Sequence, residues 1–111
     1  MKVKLEWLDG VAFQAQTPSG HRFVLDGPPE HGGQNRGPRP METFLSGAMA
    51  CSAFDVVHIL KKGKQQLTAL TVEAVAERAK TEPKVFTQIR LHFTVGGQAL
   101  KESFVQRAVS L

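Results

Sequence analysis

The chain has 111 residues, 41% hydrophobic and 22% charged, which is the composition of an ordinary globular domain rather than a disordered or fibrous chain. Its formal net charge of +4 comes from scattered Lys and Arg, densest at Lys61, Lys62 and Lys64, with no zinc-finger or RNA-binding signature to support a nucleic-acid partner. The single cysteine, Cys51, excludes an intramolecular disulfide and with it a secreted disulfide scaffold. No signal-peptide core follows Met1, and no apolar run approaches the ~20 residues that span a bilayer. The expectation is one cytoplasmic domain covering residues 1–111, with no membrane partner. A chain this short buries only a modest share of its surface, so a second subunit completing the core is expected as well.

Val3, Leu5 and Trp7 alternate with Lys4 and Glu6, a strand pattern, and Asp9-Gly10 is a hairpin turn signal. Val11, Phe13 and Ala15 alternate with Ala12, Gln14 and Gln16. A second turn falls at Pro18-Ser19-Gly20, and His21 to Leu25 makes a third strand, completing an antiparallel meander. Asp26 to Arg39 holds Gly27, Pro28, Pro29, Gly32, Gly33, Gly37 and Pro38, which predicts a long loop without regular structure, of the kind that is often functional or mobile.

Pro40 opens a helix that runs to about Lys62, with Glu42 in the first turn and Gly63 as its stop. Its apolar residues, among them Phe44, Leu45, Met49, Phe54, Val56, Val57, Ile59 and Leu60, cover most of the circumference, which predicts a buried helix. Leu67 to Ala79 and Val85 to Val95 read as two long strands joined by a turn at Thr81-Glu82-Pro83-Lys84, the second ended by Gly96-Gly97. Leu100, Phe104, Ala108 and Leu111 then keep helical spacing. That last pattern stops without a cap, so the chain is read as a truncated form of a longer element. The fold class is α+β.

Cys51 is the only soft nucleophile. At ~100° per residue, Cys51, Asp55 and His58 fall within an arc of roughly 60° and form a polar stripe on an apolar cylinder. A nearby histidine favours the reactive thiolate, whereas an aspartate one turn away opposes it. By itself Cys51 also reads as a small buried hydrophobe, and Asp55 and His58 as a face that meets water near the helix end. His21, His31 and His92 are scattered over a strand, a loop and a strand, so no metal site is expected; no cofactor motif is present either.

The order of parts, with Gly37-Pro38-Arg39-Pro40-Met41-Glu42 leading into Leu45-Ser46-Gly47-Ala48-Met49-Ala50-Cys51-Ser52-Ala53 and Asp55-Val56-Val57, resembles the osmotically inducible protein C and organic hydroperoxide resistance (OsmC/Ohr) family, in a less-studied branch. The resemblance covers essentially the whole chain. It implies an intertwined homodimer, with the cysteine helices between two sheets and the sites at the subunit interface. It also implies a thiol peroxidase in which Cys51 attacks a small organic hydroperoxide, becomes a sulfenic acid, is resolved by a second cysteine and is re-reduced by a dithiol. Glu42, Asp55 and His58 are the expected companions of Cys51. The chain departs from the peroxidase pattern at three points. It has no resolving cysteine; Met41 stands in the slot of a glutamate, with Glu42 one residue later; and Asp9, Gly10 and Val11 occupy the place of a hairpin arginine, for which Arg22 or Arg39 could substitute. These departures motivate an alternative, a non-catalytic dimeric module of the same fold that binds a small apolar ligand.

Overall fold

The computed structural model describes residues 1–80, 86–98, 100–102 and 106, and its element order is three strands, one long helix and two strands. The chain forms two compact units, residues 1–46 and 47–111, with the helix beginning in the first and continuing into the second.

In the first unit, β1 (Lys4–Asp9), β2 (Ala12–Gln16) and β3 (Arg22–Leu25) form an antiparallel sheet in sequence order. Register places Leu5, Ala15 and Phe23 side by side, and Trp7, Phe13 and Leu25 beside them, so one sheet face is apolar. The other carries Lys4, Glu6, Gln14, Gln16 and Arg22. Period-2 alternation therefore does what the sequence predicts. The pairing slips by one residue between Trp7 and Asp9, and Gly10 takes a φ of 52° in the turn. Val11 consequently belongs to the turn rather than to β2. The Trp7 indole folds back over that turn and donates to the Gly10 carbonyl at 2.9 Å.

The Gly/Pro segment after β3 is more ordered than its composition predicts. Pro29–His31 is a short 3₁₀ turn, closed by Gly32 at φ 87°. Backbone bonds from Asp26 N to Pro38 O, Gly33 N to Pro28 O and Asn35 N to Gly27 O draw the loop shut. Two glycines are required by close approach: a Cβ on Gly33 collides with the Gly27 carbonyl, and one on Gly37 collides with Val24 O.

In the second unit, α1 (Pro40–Lys62) contributes its C-terminal part, followed by β4 (Gln66–Arg78) and β5 (Phe86–Gln98), an antiparallel hairpin. Leu70, Val72, Ala74 and Ala76 pair with Val95, Phe93, Leu91 and Ile89 on one face. Thr71, Glu73, Val75 and Glu77 pair with Thr94, His92, Arg90 and Gln88 on the other. A bulge between Leu67 and Ala69 adds one residue, which restores Leu67 to the apolar face. Gly96-Gly97 does not end β5. The strand continues to Gln98, and Gly97 is needed because a Cβ there runs into the Gln66 carbonyl at the bulge.

The core of this unit is small. Val56 and Leu60 are buried, and Ile59, Leu67, Phe93 and Val95 pack against them. Full burial of a leucine side chain such as Leu60 contributes about 1.5–3 kcal/mol, so this contact is the main apolar attachment of helix to hairpin.

Burial of this helix on all sides is expected to need a sheet on one side and a second subunit on the other, and one chain supplies the sheet side. Within one chain only Val56 and Leu60 of α1 are buried, while Phe54 is 64% exposed. One two-stranded hairpin can cover one stripe of a cylinder and no more. One expectation is corrected: α1 is long and apolar enough to cross a membrane by length and composition, a test that core helices of globular proteins also pass. The predicted turn at residues 81–84 and most of the predicted C-terminal helix lie outside the described residues.

Candidate functional site

The helix start is organised by Arg39. Its carbonyl accepts from Thr43 N at 3.0 Å, and its own N–H donates to Glu42 Oε1 at 2.8 Å. The first is the opening bond of the helix ladder; the second is one half of a capping box, in which the acidic residue three places into the helix reaches back to the cap N–H. Glu42, expected beside the thiol, is thus engaged at the helix start. Replacing it with alanine is expected to cost about 1 kcal/mol through the lost cap, read as a shift of the denaturation midpoint with unchanged slope. If Glu42→Ala instead leaves stability unaltered, the cap carries no weight.

Cys51 lies near the middle of α1 and is exposed. Leu60, nine residues on, is roughly 180° round the helix, and Val56 is about 140° round. The thiol therefore faces away from the only stripe that α1 buries. It lines a shallow depression with Ala50, Phe54 and Asp55. Asp55 also lines the next depression along, with His58, Ile59 and Lys62. Asp55 is thus the shared wall between the thiol and the basic end of the helix. His58 packs its ring on Phe54, with centroids 4.5 Å apart and tilted by 55°. Seven residues separate Cys51 from His58, about 10 Å along the axis, so His58 belongs to the neighbouring depression rather than to the thiol's own. Three of the four predicted residues, Cys51, Asp55 and His58, share one face, and Glu42 belongs to the cap. Among the described residues no group of three metal-ligating side chains converges.

Sequence reasoning missed the most constrained polar group among the described residues. Asp26, 1% exposed, closes β3 and gathers the loop around itself. Its Oδ1 accepts from Gly27 N at 2.7 Å; its Oδ2 accepts from Gln34 N at 3.2 Å, Arg36 N at 3.2 Å and Arg36 Nε at 3.1 Å. Burial by itself pushes its carboxyl up. The backbone N–H of Gly27, both Arg36 donors and the N–H of Gln34 outweigh that and hold it at about 2, against an ordinary 3.8. Arg36 then spends its two terminal nitrogens on Asp9, at 2.6 and 3.1 Å, tying the loop to the first hairpin. The guanidinium at this hairpin is therefore that of Arg36. Of the substitutes suggested by sequence, Arg39 donates from Nη1 to Asn35 Oδ1 at 2.6 Å, and Arg22 stands in β3 opposite Gln16. The one available sequence signal was an aspartate at a strand end, directly before Gly-Pro-Pro, with an arginine ten residues on.

Comparison with known proteins agrees with this architecture. Residues 32–111 match the family model of the OsmC-like protein family. The whole chain aligns with Protein YhfA of Escherichia coli K12 at 40% identity, covering 80% of that protein, and equally with Protein YhfA of Shigella flexneri. A structure of an Aquifex aeolicus VF5 protein superposes with TM-score 0.82 at 27% identity, over 98% of this chain and 75% of that one. An OsmC-like protein from Mycoplasma pneumoniae shares the fold at TM-score 0.81 and 16% identity, over 98% of this chain and 77% of the other. On a family match across most of its length and an alignment across all of it, this chain belongs to the OsmC-like protein family.

Proposed function

We propose that this protein reduces organic hydroperoxides with Cys51 as the nucleophile, as part of the response to oxidative stress. Family membership supplies the coarser part of this reading, a stress-response protein with peroxidase-like chemistry at the family level. The observation that carries the finer part is the placement of the chain's one thiol, exposed on a helix face that its own hairpin does not cover. In the proposed reaction the Cys51 thiolate attacks the outer peroxide oxygen. The O–O bond breaks, and the leaving alkoxide takes up a proton to give the alcohol, with Cys51 left as a sulfenic acid. A dithiol then attacks that sulfur, water leaves, and closure of the dithiol's own disulfide restores the Cys51 thiol. Asp55 and Phe54 line the thiol's depression, Phe54 as its apolar wall, and His58 lies in the next one along.

With a single cysteine in the sequence, oxidation by cumene hydroperoxide is expected to add one oxygen per subunit at Cys51, seen by mass spectrometry. Turnover is expected to be poor unless an external dithiol is supplied. A Cys51 that remains a free thiol under excess peroxide overturns the proposal.

The second part of the proposal is a homodimer with the thiol near the subunit interface. Its support is the amount of apolar surface that one chain leaves bare: Leu5 at 55%, Trp7 at 66%, Phe54 at 64% and Val75 at 70% exposure. Sedimentation equilibrium is expected to return twice the chain mass of 12.2 kDa, and a purely monomeric species would remove the interface from the argument.

One observation favours a second reading. The residues lining the thiol's depression, Ala50, Phe54 and Asp55, include a carboxylate and no cation. In this reading the protein is a non-catalytic OsmC-like module that holds a small apolar ligand, and Cys51 is inert.

A further inference from the structure

We draw no further inference here: the strongest candidate, the exposed face of α1 along which Cys51, Asp55, His58 and Lys62 line two adjoining depressions, belongs to the site already described, and nothing in the structure shows what covers it.

Discussion

Replacing Asp26 with asparagine is expected to lower the thermal midpoint by about 10 °C or more, the largest stability effect of any conservative substitution in the first unit. The carboxylate offers two acceptor oxygens to four donors, and both oxygens are used. An amide keeps the shape but puts an NH₂ against backbone N–H groups, leaving buried donors without a partner. It also removes the charge that Arg36 faces across 3.1 Å. Asp9→Asn is the control. It touches the same guanidinium, but Asp9 is exposed and water replaces what it loses, so a shift of only a few degrees is expected. Equal effects at the two positions would mean that Asp26 is not the centre of the loop.

The same residue predicts a pH dependence whose sign is fixed. Asp26 ionises at about 2 in the fold and near 3.8 when free, so folding favours its charged form. Its contribution is fully present above the free value and is lost as pH falls through 3.8 toward about 2. Thermal midpoints of the wild type should therefore drop across that interval, and those of Asp26→Asn should drop less steeply. Parallel slopes in the two proteins would overturn the assignment.

Replacing Cys51 with serine is expected to reduce dithiol-dependent hydroperoxide consumption by at least about a thousandfold, to the level of buffer and dithiol alone. Sulfur is the reacting atom in the proposed step, and a serine hydroxyl lacks both its acidity and its affinity for peroxide oxygen. Because residue 51 is exposed and faces away from Val56 and Leu60, the variant should fold as the wild type does, and far-UV circular dichroism would check this. A variant that consumes peroxide at a comparable rate excludes Cys51 as the nucleophile. If wild type and variant are both inert, yet bind an apolar fluorescent probe equally well, the binding-module reading takes its place.

How far the fold was legible depends on the range of the interactions involved. The meander, the helix from Pro40 to Lys62 and the long hairpin were readable because each rests on local periodicity: two residues for strands, 3.6 for the helix. The family followed from the proline-to-cysteine block, which lies on that helix. Strand ends were less legible. Gly96-Gly97 reads as a terminator, yet the Gln66 carbonyl across the hairpin makes a glycine necessary inside β5. That requirement comes from the opposite strand, some thirty residues away in sequence.

By itself, the sequence determined the order and type of the elements, the family, and the common helix face of Cys51, Asp55 and His58, since helical geometry converts spacing directly into angle. Tertiary structure alone decided which residues are committed elsewhere. Glu42 belongs to the helix cap, Arg36 to the clamp between Asp9 and Asp26, and the thiol's face lies opposite the stripe that packs on the hairpin. Such outcomes depend on which distant donors and apolar atoms come within a few ångströms, and burial then sets how strongly each contact counts; neither quantity is written in local residue spacing.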